Sequence, residues 1–218
     1  MTNSRSVKEE VWKLIDRDPS LKLDLERRLI NARALARYCS SCGVEGSEDA
    51  LISAIRRYPL DSRAKKQYDR AVDIVRRSAI SSKSRVANIA LRKGSDTQAI
   101  LPKLFSVIDY ERGETLRIVQ GEESIKLLVD EKNLPRLLAL IPQKLVLHVQ
   151  KNLAEINLHL HDEAVKTPGI MLVITGELSR NNVNIYEIMS CVPEMLIFVD
   201  EADLMRAYGV LFDLCHGK

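Results

Sequence analysis

The spacing of apolar positions changes character near residue 80 of this chain. Before that point apolar residues recur every three or four positions, the helical period. After it, helical stretches alternate with runs in which every second residue is apolar, the strand period. In the first part Val7, Val11, Trp12, Leu14 and Ile15 share one face of a helix over 7–17. Asp18-Pro19-Ser20 is a break and a new start, proline being tolerated in a first helical turn, and Leu21, Leu25 and Leu29 carry on at four-residue spacing. Asn31–Cys39 follows, with Ala32, Leu35 and Ala36 apolar. A turn through Gly43 and Gly46 leads to a helix over about 47–58, N-capped by Ser47 and lined by Leu51, Ile52 and Ile55. A charged helix over 61–80 has a narrow apolar stripe of Tyr68, Ala71, Val72 and Val75. Its Asp61/Lys65 and Asp73/Arg77 pairs are favourable at a spacing of four, as in a solvated connecting helix. Residues 78–84, SAISSKS, read as a domain boundary.

Beyond the boundary, 86–91, 115–120, 124–130 and 144–150 predict strands, and 99–109 and 132–141 predict helices. A second series starts with a strand over 154–161 and a helix from Ile170 to Leu178, which Asn181-Asn182 ends. Strands 185–191 and 195–199 follow, separated by Pro193, and a helix opens on Asp200-Glu201, where acidic groups suit the N-terminal dipole. Shifted by 70 residues, the first series falls on the second: Val129-Asp130-Glu131 on Val199-Asp200-Glu201, Leu134 on Leu204, Leu104 on Ile174, Thr97 on Thr167 and Val86 on Ile156. Apolar meets apolar throughout, as a duplicated unit requires. The predicted class is α+β: an N-terminal all-α domain followed by two ferredoxin-like βαββαβ modules, the second lacking its last strand. The expected divisions are 1–60, a connecting helix over 61–80, and modules over 81–150 and 151–218. A missing strand leaves a sheet edge unpaired, and a homodimer through this region is expected to cover it.

Three stretches carry a family likeness: Pro168-Gly169-Ile170 at a loop–helix junction, Val183-Asn184-Ile185 entering a strand, and Phe198-Val199-Asp200-Glu201 at the second helix. In this order and spacing they resemble the ACT domain, the small regulatory module of aspartate kinase and other amino-acid-controlled enzymes. The resemblance implies an amino-acid effector held where the loop after the first strand meets the helix, often between two modules. Carried onto this chain, it implies Thr167, Gly169, Ile170, Asn184 and Ile185 as ligand-binding residues, with Asp96 and Thr97 in the matching loop of the first module and Asp96 facing an ammonium group. This chain departs from the pattern at Lys166, where an acidic residue often precedes the Pro-Gly, and at Gln98-Ala99, which replaces the Pro-Gly in the first module. Modules that pack without any effector are the alternative.

The stretch from Leu35-Ala36-Arg37 through Ala54-Ile55-Arg56-Arg57-Tyr58 resembles a helix-turn-helix, whose second helix lies in the major groove of DNA. That resemblance implies DNA contacts from Arg37, Arg56 and Arg57, with Lys65 and Lys66 tracking phosphates. Glu45, Glu48 and Asp49 stand at the reading end, where phosphates would repel them. A helical domain that docks onto a partner enzyme, or only packs, is therefore the competing expectation. The whole build is similar to regulators found mainly in archaea: no enzyme, but a protein whose partners are an amino-acid effector, DNA and a second copy of itself.

Charge and motifs sharpen this only in part. The net charge is +3, but residues 1–80 hold 17 Lys+Arg against 12 Asp+Glu, an excess of +5 that leaves −2 for the rest. A polyanion would be sought on the helical part. No apolar run reaches the roughly 18 residues of a membrane span, and the polar start MTNSRSVKEEVWK does not read as a secretory signal. With four cysteines that suit a reducing compartment, a cytoplasmic location away from membranes is expected. The sequence holds no Gly-rich phosphate loop, GxSxG or HExxH, so no catalytic residue and no cofactor are expected. Cys39-Ser-Ser-Cys42 has the spacing of half a zinc site but no second pair. His159 and His161 are expected on one strand face with Glu155 and Asn157, and His148 on the neighbouring strand. No spacing fixes a third ligand there, and no metal is expected.

Overall fold

The computed structural model describes residues 6–60 and 62–217, so the expected Asp61/Lys65 pair lies partly outside the described residues. The chain forms two units, one reaching Arg70 and one starting at Ala71.

The first unit contains α1 (Val7–Arg17), α2 (Pro19–Glu26), α3 (Ala32–Ser41), α4 (Glu48–Arg56) and the first part of α5 (Ser62–Arg76). The helix starts are written in the sequence. Ser6 and Glu9 form a capping box on α1, and Asp18 accepts from the Ser20 and Leu21 amides at 2.9 and 3.2 Å. Asn31 caps α3 at 2.9 and 3.2 Å, and the Ser47 hydroxyl accepts from the Ala50 amide at 3.3 Å. Each side chain satisfies a first-turn amide that has no partner within the helix. Val11, Ile15, Leu35, Ala36, Leu51 and Ile55 meet in the core. The Trp12 indole donates to the Ala54 carbonyl at 3.0 Å, and the Tyr58 hydroxyl donates to Asp16 at 2.5 Å. Helix α2 ends before Leu29 because Arg28 takes φ 59°, a left-handed conformation that an α-helix cannot continue through. Leu29 is left exposed.

The second unit runs β1 (Ala79–Arg92), α6 (Ser95–Phe105), β2 (Leu116–Gln120), β3 (Ser124–Asp130), α7 (Leu134–Leu140), β4 (Val146–His159), α8 (Ile170–Arg180), β5 (Glu187–Cys191), β6 (Glu194–Asp200) and α9 (Leu204–His216). The strands form one six-stranded sheet in the order β2-β3-β1-β4-β6-β5, with every neighbouring pair antiparallel. Two expectations change here. The strands read at 144–150 and 154–161 are one strand of 14 residues, β4. Residues 79–83, read as helix end and linker, open a second strand of 14 residues, β1.

These long strands pair along their length, Ala79–Lys83 against Glu155–His159 and Asn88–Leu91 against Val146–Gln150. Each is therefore the first strand of its own βαββα unit and the fourth strand of the other. The strand missing after α9 is supplied from ahead of the first module, and that side of β4 is already paired. A second copy is not needed to cover it.

The duplication is real in the fold, but its offset is not constant. Strands β1 and β4 begin 67 positions apart, at 79 and 146; helices α6 and α8 begin 75 apart, at 95 and 170; β3 and β6 begin 70 apart, at 124 and 194. The loop before α8 is eight residues longer than its counterpart, and half of that excess is taken back in the loop after the helix.

Arg85 and Asn152, also 67 positions apart, both have φ 58°, and the β1–β4 register slips beside them, between Lys83 and Val86. Bulges of this kind bend and twist a strand. The bend is large. Lys126 on β3 pairs with Glu187 on β5, four strand spacings away, about 19 Å in a flat sheet. Arg117 on β2 holds Glu155 on β4 through two bonds of 2.8 and 2.7 Å. The sheet thus doubles over, with Val86, Leu128, Leu153, Leu196 and Phe198 buried between its halves. On the outer face of the first module, α6 and α7 contribute Leu104, Leu134 and Leu137 to a core with Ile89, Leu91, Ile125 and Leu127. In the second, α9 packs on β1, β4 and β6 and against α8.

Glu155 is 4% exposed, and breaking a buried ion pair strands the remaining charge. Arg117→Met should therefore cost about 3–5 kcal/mol, while Arg117→Met with Glu155→Met should recover most of it. Urea unfolding of the two single variants and the double variant measures the cycle, and additive effects would mean the pair does not join the halves.

Candidate functional site

The inserted residues after β4 shape a concavity of the second unit. Strand β4 ends at His159, and the Leu160 amide donates to the Pro193 carbonyl at 2.8 Å, tying the loop to the β5–β6 turn. A 3-10 turn over Asp162–Lys166 follows. The Thr167 hydroxyl donates back to the Glu163 carbonyl at 2.8 Å, which closes that turn. Gly169 then takes φ 97°, a left-handed conformation cheap only for glycine, and Ile170 starts α8. Gly169 is the helix cap and provides no side-chain cap bond, so the first amides of α8 keep their donor capacity.

Between this loop and the Val192–Pro193 turn lies a cavity of about 510 Å³. That volume falls within the roughly 300–1,000 Å³ of small-molecule sites. Leu160, Val165, Ile170, Met171, Val192 and Met195 give it apolar walls, and His161 and Glu194 are its ionisable lining residues. The Glu194 carboxylate accepts from the Asn157 side-chain amide at 2.8 Å, which fixes it at the base of the turn.

Of the ligand residues implied by resemblance, Thr167, Gly169 and Ile170 come together at this cavity. Asn184 and Ile185 do not line it; they precede β5, whose far end, Cys191, pairs with Glu194 beside the cavity. In the first module only Lys93 and Gly94 separate β1 from α6. There Asp96 already pairs with Lys144 at 3.1 Å, and the buried Thr97 hydroxyl donates to the Arg92 carbonyl at 2.5 Å. The residues that sequence reasoning missed are Leu160, His161, Val165, Val192 and Glu194. A constant 70-residue offset hid the loop that holds the first three, because the excess before α8 is compensated after it.

In the helical unit, Arg37, Arg56, Arg57, Lys65 and Lys66 are all exposed. Arg56 and Arg57 stand at the C-terminal end of α4, whose first turn carries Glu48 and Asp49. Glu48 pairs with Arg33 at 3.0 Å, and Lys65 pairs with Asp69 at 2.6 Å. Cys39 is buried and Cys42 exposed, so the two thiols lie in different surroundings, and burial pushes the Cys39 thiol up from its ordinary range. His148 lies on β4 itself, not on a neighbouring strand, paired with Ala90 at the opposite end from His159. Among the described residues no three His, Cys, Asp or Glu side chains gather as metal ligands.

No protein-family model matches this chain, and no curated protein does. Solved structures do. Aspartate kinase from Clostridium acetobutylicum shares the fold over 62% of this chain with TM-score 0.50 and 19% identity. The chain spans about a third of that enzyme's length, 34%. The regulatory subunit of aspartate kinase from Thermus flavus matches over 62% of this chain and 95% of its own length, with TM-score 0.50 and 15% identity. The class is thereby defined at the level of fold: this chain carries ACT-like modules of the kind found in aspartate kinase regulatory domains. No helix among the described residues is long and apolar enough to cross a membrane.

A Cβ at Gly169 would lie 3.4 Å from the Ala71 Cβ of α5, whereas one at Gly43, φ 87°, would meet nothing within 4 Å. Both Gly169→Ala and Gly43→Ala should lose about 1–2 kcal/mol to the left-handed backbone. Because 3.4 Å is ordinary van der Waals contact, chemical denaturation should give the two variants similar losses.

Proposed function

We propose that this protein is a non-enzymatic regulator that senses a small molecule, an amino acid, through its second ACT-like module. The observation that carries this reading is the cavity between the inserted loop and the β5–β6 turn, set in a fold shared with the regulatory subunit of aspartate kinase. Thr167, Gly169 and Ile170 are its ligand-binding residues. Coupling runs through α5. Ala71, Ile74 and Val75 of that helix are buried, Ala71 faces Gly169, and the same helix continues back to Ser62 in the first unit. A ligand that displaces the Gly169 loop therefore bears on the helix that links the two units. Regulation requires the ligand to bind two arrangements unequally.

The output of this reading is DNA binding by the helical unit through Arg37, Arg56, Arg57, Lys65 and Lys66. A second reading, docking onto a partner enzyme without DNA, is favoured by the acidic first turn of α4 and by the Arg33–Glu48 and Lys65–Asp69 pairs, which neutralise basic side chains. Two measurements test the scheme. An amino-acid effector at a hundred times its dissociation constant should stabilise the fold by about 2.7 kcal/mol, and a thermal-shift screen with no responding amino acid would reject sensing. Mobility of random duplex DNA should be retarded at low salt and released as salt rises; no retardation at low salt leaves the partner-enzyme output.

A further inference from the structure

Helix α3 ends on two cysteines in opposite surroundings. Cys39 is wholly buried, in the core with Leu35, Leu51 and Ile55. Cys42, one helical turn on, is the C-cap residue and is exposed. It lines a cavity of about 440 Å³ with Lys13, Arg17 and Tyr38, a volume in the range of small-molecule sites. Residues three apart on a helix have Cα atoms about 5 Å apart, inside the roughly 4.4–6.8 Å that disulfides span. Their Cβ atoms stand about 5–6 Å apart, against about 3.8 Å in a disulfide. Closing that gap means loosening the last turn of α3. The turn is held by the Cys42 amide, which donates to the Tyr38 and Cys39 carbonyls at 3.0 and 3.1 Å, and Gly43, φ 87°, has already turned the chain out of the helix.

We infer that Cys39 and Cys42 are a thiol–disulfide pair oxidised by a small-molecule disulfide, with Cys42 the attacking thiol and Cys39 the resolving one. The Cys42 thiolate attacks one sulfur of the oxidant, the oxidant's S–S bond breaks, and its other half leaves as a thiolate that takes up a proton. Cys39, whose thiol burial holds above its ordinary range, stays protonated through this step. Its sulfur then gives up its proton to solvent and attacks the Cys42 sulfur, and the second half of the oxidant leaves. Two thiols and one disulfide become one disulfide and two thiols, and two electrons pass to the oxidant. The bond formed is strained by the helix, and strained disulfides are the labile, regulatory ones. Oxidation draws Cys39 out of the core that joins α3 to α4. It thereby loosens the helical unit directly, without passing through α5.

Treatment of the full chain with oxidised glutathione tests this by mass spectrometry of the tryptic peptide 38–56. That peptide holds both cysteines and is separate from Cys191, which is also exposed. It should lose two hydrogens and keep no glutathione. In Cys39→Ala it should instead retain one glutathione on Cys42. In Cys42→Ser, Cys39 should react at least about tenfold more slowly than the wild-type pair. Thermal unfolding shows that both variants fold. Reduced glutathione in excess should reopen the bond. Oxidation should quicken amide exchange in α3 and α4 and leave β1 to β6 unchanged. A wild-type peptide that stops at glutathione on Cys42 overturns the pairing, and Cys39 reacting as fast without Cys42 overturns the order of attack. An internal disulfide that reduced glutathione cannot open, or that leaves exchange in α3 and α4 unchanged, overturns the regulatory role.

Discussion

The antiparallel pairing of β1 with β4 is the constraint from which the rest of the second unit follows. Each strand is long enough to serve two modules, and each is bulged near its middle, at Arg85 and Asn152. Without the bulges, one extended sheet would present a broad face with nothing to cover it. With them, the sheet turns back on itself, and Leu128 of one half meets Leu196 and Phe198 of the other. The half-sheets are then clamped by charge at their rims, Arg117 with Glu155 and Lys126 with Glu187. Glu155 is buried, with Lys83 of β1 and Phe198 of β6 opposite it, so removing the guanidinium would leave its charge without a hydrogen-bonded partner, which is costly. The modules cannot fold as beads on a string, because neither has its fourth strand without the other.

The same interleaving puts the linking helix next to the cavity. Only Arg77 and Ser78 separate α5 from β1, and the first half of β1 lies beside the end of β4 from which the cavity loop departs. Helix α5 is thus delivered to Gly169 by strand pairing and not by a chance surface contact. Asymmetry between the modules does the remaining work. Two residues join strand to helix in the first, and ten, residues 160–169, do so in the second. A short connection leaves no room for a wall. The longer one folds into its own 3-10 turn, closed by Thr167, and creates space against the β5–β6 turn.

In the helical unit, charge is arranged more conservatively than its excess of basic residues indicates. Arg33 meets Glu48, Lys65 meets Asp69, and Arg27 meets Asp24 at 3.4 Å. Exposed pairs of this kind contribute at most about 1 kcal/mol each, but they also lower the density of uncompensated cation that a phosphate backbone would meet. The acidic first turn of α4 stabilises that helix by its dipole, whatever surface the unit presents to a partner.

Much of this was legible in one dimension. Periodicity gave each α-helix of the described residues, with α6 read four residues late, and the positions of most strands, and Ser47 could be named as a cap because a hydroxyl before an apolar-periodic run satisfies amides that no helix can satisfy itself. Duplication was legible for the same reason: cores tolerate exchange of one apolar residue for another but not a change of pattern. Pro168-Gly169 marked the loop–helix junction because the left-handed Gly169 is a local backbone requirement. What the sequence could not show was partnership between segments far apart. Residues 79–83, AISSK, have one edge on β4 and no strand on the other, and with only Ala79 and Ile80 apolar they show no alternation that reads as a strand. Their partner lies more than 70 residues away, at 155–159. Strand pairing is satisfied by main-chain groups that every residue carries, so it leaves little mark on composition. Glu194 and Val192 were silent in the same way: a turn residue becomes the wall of a cavity only when tertiary structure brings an inserted loop against it.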